Sequence, residues 1–283
     1  LKHFDTPGEL VRTYQNYAKK QFGQHFLVDP SILERIADAA DVEASDDVLE
    51  VGPGCGTLTL VMLERGARVT AVELDRDLAA FLRKQLVPGR ELELIKADVL
   101  ETDLDAIVDA DRAPWKCAAN LPYNVATEVF FRLAEIAERF EVLALMFQKE
   151  VAERFVARPG EDDYSVLSLM GRLYFDAEIA FTLPGGAFVP PPRVSSAVVR
   201  FEPVHGTRIE DERVRGMFVR AVKNAFQKRR KTLPNALGGI GFTKDVLKDV
   251  IAQAQLDLRV RPERVSFDEF AHLAELLVER DDG

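Results

Sequence analysis

Cysteine is scarce in this chain: Cys55 and Cys117 are the only two in 283 residues. Two isolated thiols build neither a disulfide framework nor a zinc site, and no metal is expected. Long apolar runs are missing too, and none approaches the ~20 residues that a membrane-spanning helix needs. The opening stretch LKHFDTPGEL has no apolar signal-peptide core. Together these absences leave a non-membrane protein in a reducing setting, and a cytoplasmic location is expected. Positive charge is also in deficit, with Lys+Arg 37 against Asp+Glu 47, a net charge of −10. By itself that balance repels a polyanion. Its distribution says more than its sum. KNAFQKRRK gathers Lys223, Lys228, Arg229, Arg230 and Lys231, and YAKKQF adds Lys19 and Lys20. A locally basic face on an acidic body is compatible with RNA, although such a run also suits a solvated helix end.

What is present is ample apolar content, 47% of residues, enough for one large domain and a smaller one. From about 30 to 150, strand and helix signals alternate. Strands are expected at 46–52, 67–74, 92–100, 116–122 and 141–148. Helices are expected in PSILERIADAADV, LTLVMLERG, DRDLAAFLRKQL and ATEVFFRLAEIAERF, with Pro30 in a first turn and Asp75 as an N-cap. Such alternation predicts an α/β fold, a parallel sheet with helices on both faces and a ligand beyond the carboxyl ends of the strands. Beyond 150, KEVAERFVA and YSVLSLMGRLYF read as helices. EIAFTLPG and SAVVRFEPV read as an antiparallel pair at a sheet edge, around the extended AFVPPPRVSS. The rest is helical, near 212–230, 243–255 and 266–280. The expected domains are 1–206 and 207–283.

EVGPGCG places Gly52, Gly54 and Gly56 directly after a strand, where a backbone must turn sharply and approach a ligand. A dinucleotide fingerprint would have its third glycine at position 57, which is Thr57, and Pro53 removes an amide that would face a pyrophosphate. The loop therefore suits a ligand without a diphosphate. Glu73 ends the second strand, where a carboxylate accepts both ribose hydroxyls. Asp98 ends the third, placed either for an adenine amine or as a helix cap. A nucleoside site without phosphate describes S-adenosylmethionine.

AANLPYN supplies the chemistry. An adenine amine is a poor nucleophile because its lone pair is delocalised into the ring. The side-chain oxygen of Asn120 and the carbonyl of Leu121 are acceptors for its two hydrogens, Pro122 stiffens the backbone, and Tyr123 offers a stacking face worth ~1–3 kcal/mol. No strong base is required, so catalysis rests on positioning. A paired base cannot reach such a site and has to be unpaired or flipped. Phe22, Phe26 and Phe147 are candidates for the surrounding wall, each equally at home in a core, and FVPPPRVSS is a candidate for the far wall.

Seven blocks in order, KKQFGQHFLVD, EVGPGCGTLT, VELD, KADVL, NLPYN, FQKEVAER and FVPPPRVSSAVVRF, resemble the ribosomal RNA adenine dimethyltransferases of the KsgA type over about residues 17 to 237. The resemblance implies a Rossmann-like class I S-adenosylmethionine-dependent methyltransferase sheet followed by a small helical RNA-binding domain. It implies N6,N6-dimethylation of two adjacent adenosines near the 3′ end of small-subunit rRNA, within a late pre-ribosomal small subunit. Carried over residue by residue, His25 and Leu27 line the cofactor site from the N-terminal segment. Gly52 holds the methionine part, Glu73 the ribose and Asp98 the adenine, with Gly54, Leu74 and Val99 also against the cofactor. Asn120 spans cofactor and target amine, and Leu121, Pro122 and Tyr123 complete the catalytic segment. Phe22, Tyr123, Phe147 and the basic run would contact RNA. A monomer is the expected state.

Two features depart from the pattern: Cys55 fills a variable slot, and the acidic pI is unusual for a family that tends to be basic. The related Erm type, acting on large-subunit rRNA, resembles NIPY or NIPF at the catalytic segment and usually lacks the FQKEVAER and VPPPRVSSAVV pairing. A non-catalytic RNA-binding or assembly factor would not need the Gly52, Glu73, Asp98 and Asn120 set. A DNA adenine methyltransferase would normally carry DPPY, and an NAD-dependent oxidoreductase is disfavoured by Thr57.

Overall fold

The computed structural model describes residues 6–17, 25–86, 90–112, 114–204 and 206–281. The strands are β1 (Phe26–Leu27), β2 (Asp47–Val51), β3 (Arg68–Glu73), β4 (Leu92–Lys96), β5 (Trp115–Asn120), β6 (Phe140–Gln148), β7 (Phe175–Leu183), β8 (Phe188–Val189) and β9 (Ser196–Pro203). The helices are α1 (Pro7–Tyr17), α2 (Pro30–Ala39), α3 (Thr57–Glu64), α4 (Arg76–Gln85), α5 (Leu104–Ile107), α6 (Ala126–Ala134), α7 (Lys149–Val156), α8 (Val166–Tyr174), α9 (Glu212–Gln227), α10 (Leu233–Ala236), α11 (Lys244–Gln253) and α12 (Phe267–Asp281).

Seven strands form one sheet in the order β4-β3-β2-β5-β6-β9-β7. The ladders β3–β4, β2–β3, β2–β5 and β5–β6 are parallel, and β9 runs antiparallel to β6. All five residues of β2 are buried, as a strand covered by helices on both faces requires. Chain order reverses between β2 and β5, so the crevice at their carboxyl ends is the natural ligand position of this topology. The expected α/β sheet is present, and β9 and β7 are neighbours at the expected edge. Local signals behave as read: the Asp29 side chain accepts from Ser31 N ahead of Pro30, and the Asp75 side chain caps α4 through Asp77 N and Leu78 N.

Three elements, α1, β1 and β8, were not legible. Little along the chain signals α1, which buries Leu10, Val11 and Tyr14. β1 and β8 pair antiparallel through Phe26–Val189 and Leu27–Phe188, an association between segments far apart in the chain.

The chain divides into two compact units, Leu1–Ala152 with Glu178–Pro203, and Glu153–Ala177 with Val204–Gly283. The expected division into 1–206 and 207–283 differs from this one in Glu153–Ala177, which groups with the helical unit. Long-range bonds within that unit account for the difference: Tyr164 Oη donates to Val265 O (2.9 Å) and Gly160 N to Glu263 O (2.7 Å). Acidic and basic side chains balance in the second unit, so the net charge of −10 resides on the first. Among the described residues no helix is long and apolar enough to cross a membrane.

Candidate active site

Past the end of β2 the chain turns through the glycines. Gly54 has φ +60, and a Cβ there would stand 3.3 Å from the ring of Phe26. Gly56 has φ +88, and a Cβ there would meet Leu86 at 2.4 Å. L side chains rarely adopt either conformation, so the sequence supplies glycine where the loop has to pass close to its neighbours. The turn delivers the chain into α3 with its backbone facing a cavity of about 350 Å³.

That cavity collects most of the expected cofactor and catalytic residues. His25, Leu27, Gly52, Gly54, Glu73, Asn120, Leu121, Pro122 and Tyr123 all line it. They come from four places in the sequence, and the strand order brings them together. Pro122 packs on the glycine turn, its Cδ 3.4 Å from the place a Gly52 Cβ would take. The Pro122 carbonyl accepts from Val125 N at 3.1 Å, which turns the chain into α6. His25 Nδ1 donates to Pro190 O at 2.7 Å, tying the N-terminal segment to the proline-rich loop.

The electrostatics are acidic. Glu73 Oε2 accepts from Gly54 N (3.1 Å) and Oε1 from Asp75 N (2.8 Å). Burial raises the Glu73 pKa, against those backbone donors. Glu50, which sequence reasoning missed, also lines the cavity, and its Oε2 accepts from Thr59 Oγ1 at 2.5 Å. Burial pushes its pKa up to about 8, with the Glu73 charge adding to the rise. A lone acid in a short strand gives no signal of its own; only the turn that follows could have drawn attention to it. Among the described residues lining the cavity there is no Lys or Arg. Without a positive side chain on that wall, and with carboxyl acceptors on it, the site suits a phosphate-free nucleoside better than a diphosphate. S-adenosylmethionine fits: the glycine turn leaves room beside the backbone, and two carboxyl groups face the space.

Other expected residues lie elsewhere. Leu74 is 64% exposed beside Glu73 and is not part of the cavity wall. Asp98 and Val99 follow β4 and also lie outside that wall, and Asp98 Oδ1 accepts from Leu100 N at 2.9 Å within the turn that follows the strand, while the next helix, α5, is capped by Asp103. Phe147 is a correction: it is 0% exposed within β6 and packs edge-on against Phe201, 6.2 Å between centroids, so its ring belongs to the core and presents no face to a base. Phe22 lies outside the described residues. Lys223, Lys228, Arg229, Arg230 and Lys231 are exposed at the end of α9 and just beyond it, in the second unit. Lys228 Nζ donates to Gly238 O (2.8 Å) and Arg229 to Asp162 O (3.1 Å). Cys55 and Cys117 are buried free thiols whose pKa burial raises, which makes them unreactive.

The family model described as "Ribosomal RNA adenine dimethylase" matches residues 15–278. A "Ribosomal RNA small subunit methyltransferase A" of Geobacter metallireducens is 42% identical over 276 residues, covering 96% of this chain and 98% of that protein. Among solved structures, a dimethyladenosine transferase from Plasmodium falciparum superposes with TM-score 0.74 at 26% identity, covering 91% of this chain and 98% of that one. The 23S rRNA methyltransferase ErmE gives TM-score 0.67 at 26% identity, covering 89% of this chain and 99% of that one.

Proposed function

The chain belongs to the ribosomal RNA adenine dimethylase family, and on that premise we propose how its residues share the work of methylation. It is an S-adenosylmethionine-dependent rRNA adenine dimethyltransferase, and its rRNA is that of the small subunit. Near-full-length identity of 42% to a small-subunit enzyme, against 26% to ErmE, favours that substrate over large-subunit RNA.

When bound, S-adenosylmethionine supplies an electrophilic methyl group. Glu73 holds the ribose hydroxyls, and the Gly52–Gly54 backbone faces the methionine part. The adenine leaves the cavity over exposed Leu74 toward Asp98 and Val99. Asp98 lies two residues past Lys96, and Lys96 pairs with Glu73 across the β3–β4 ladder, which supports this direction. His25 and Leu27 close the cavity from the N-terminal side.

Asn120 Oδ1 and the Leu121 carbonyl accept the two hydrogens of the target N6 amine, draw the nitrogen from planarity and free its lone pair for in-line attack. Tyr123 stacks on the extruded base. Attack breaks the S–C bond of the cofactor, which leaves as a neutral thioether, and the methylated amine would lose its proton to water without a strong base, so these residues act by positioning. The second unit binds RNA through Lys223, Lys228, Arg229, Arg230 and Lys231. Two adjacent adenosines near the 3′ end of the small-subunit rRNA are the targets, met in a late pre-ribosomal particle by a cytoplasmic monomer.

One observation carries this reading: the glycine turn, Glu73 and Asn120–Tyr123 line a single cavity. The test is methyl transfer from labelled S-adenosylmethionine to unmethylated small subunits, with large-subunit rRNA in parallel. Dimethyladenosine by mass spectrometry in the small-subunit RNA alone is the expected product. Label only in the large-subunit RNA would overturn the substrate, and label in neither would make the chain a binding or assembly factor.

A further inference from the structure

Tyr123 and Ser196 are separated by 73 residues, yet Tyr123 Oη and Ser196 Oγ share a hydrogen bond of 2.6 Å. The two ends of that bond are held very differently. Ser196 is 0% exposed and opens β9, where it pairs with Gln148 of β6. The residue before it, Ser195, accepts from Lys149 N at 2.9 Å. The Ser196 hydroxyl therefore stands on backbone fixed by the sheet. Tyr123 sits in the turn between β5 and α6, half-buried, lining the cavity. A ring on a turn keeps rotational freedom about its side-chain bonds unless something holds its far end. Ser196 does not line the cavity, so it reaches the site only through that ring.

We propose that Ser196 is a positioning residue for methyl transfer, holding the Tyr123 ring in the orientation that stacks on the target adenine. The proposal rests on the assignment of Tyr123 to the stacking wall. Bonding from the far end leaves the ring face open to a base while stopping its rotation. A ring that is pre-set need not be ordered when the base arrives, and that gain appears in turnover. Desolvation by burial raises the Tyr123 pKa while the Ser196 bond lowers it; the phenol remains neutral near pH 7.

The test uses the full chain with Ser196→Ala, Tyr123→Phe and the double variant, each checked for folding by thermal melting. Single-turnover methylation of unmethylated small subunits, calorimetric binding of S-adenosylmethionine, and the ¹³C NMR signal of the Tyr123 Cζ are measured in parallel. The Tyr123 signal is identified by its loss in Tyr123→Phe. Each single variant is expected to slow methyl transfer by about 3- to 10-fold, the size of one neutral hydrogen bond. Cofactor affinity stays at the parent value, the Cζ signal moves in Ser196→Ala, and the double variant is no slower than either single one.

Parent-like turnover in Ser196→Ala, or an unmoved Cζ signal, would overturn the proposal. So would an equal slowing by Ser196→Ala in the parent and in the Tyr123→Phe background, because Ser196 would then act on the fold and not through the ring. A parent chain inactive on both ribosomal subunits would overturn the functional assignment and this role together; an active parent with any of the preceding results overturns this role alone.

Discussion

Gly54 N donates to Glu73 Oε2 at 3.1 Å, so the glycine turn and the acid we propose for the ribose are one construction. The other carboxylate oxygen accepts from Asp75 N at 2.8 Å. Both oxygens are thereby oriented before a ligand arrives, and each keeps a lone pair for a hydroxyl. A carboxylate so placed needs no reorganisation on binding, which is where its contribution to affinity arises.

Glu73→Gln turns one of those acceptors into an amide donor that faces a backbone N–H. One charge-assisted bond to the ribose disappears, worth ~1.5–3 kcal/mol, so S-adenosylmethionine should bind about 10- to 100-fold more weakly by calorimetry. The thermal transition should stay cooperative. Unchanged affinity would remove Glu73 from the ribose.

Glu50 makes a pH prediction. Its carboxyl has a pKa of about 8 in the fold against an ordinary 4.5. The folded chain keeps a proton that the unfolded chain releases, so the group's contribution is fully present below 4.5 and is lost as pH rises toward 8. Glu50→Gln keeps an acceptor for Thr59 and cannot ionise. Without cofactor, its melting temperature relative to the parent should rise steadily from about pH 5 to about pH 8. A constant difference across that range would mean that Glu50 is ionised in the folded chain at neutral pH.

Asn120→Ala should reduce methyl transfer below detection, because an acceptor for the target amine disappears. Tyr123→Ala removes a stacking face worth ~1–3 kcal/mol and should slow transfer by roughly 5- to 150-fold. Single-turnover kinetics with cofactor at saturation separate these effects from binding. Near-parent rates in both variants would refute the catalytic assignment.

Arg229→Gln with Arg230→Gln should weaken RNA binding at low salt. The plot of log affinity against log salt should flatten by about 0.7–0.9 for each phosphate that the protein no longer neutralises. Cofactor binding should not change. An unaltered slope would return the basic run to the role of a solvated helix end.

Much of this site could be read along the chain because its chemistry is local. Three glycines after a strand mark a turn whatever surrounds it, and Asn120 to Tyr123 carry acceptors, rigidity and a ring in consecutive positions. Glu73 could be found because an acid at a strand end is conspicuous. Glu50 could not, since a single acid within DVLEV looks like an ordinary solvent-facing strand residue, and its burial at 2% exposure depends on helices packed over both sheet faces. Phe147 fails for the reverse reason: an aromatic near a strand end suits a wall or a core equally, and only the packing against Phe201 decides.

The sequence by itself determined the strand and helix succession of the central parallel sheet, the glycine turn after β2 and the run of acceptors and ring in Asn120–Tyr123, because turn chemistry, capping and hydrophobic periodicity act over a few residues. The tertiary structure alone decided that Glu153–Ala177 joins the helical unit, that β1 pairs with β8, and that Ser196 reaches Tyr123. Each is an association between distant segments, and no local pattern encodes a partner that arrives only when the sheet has closed.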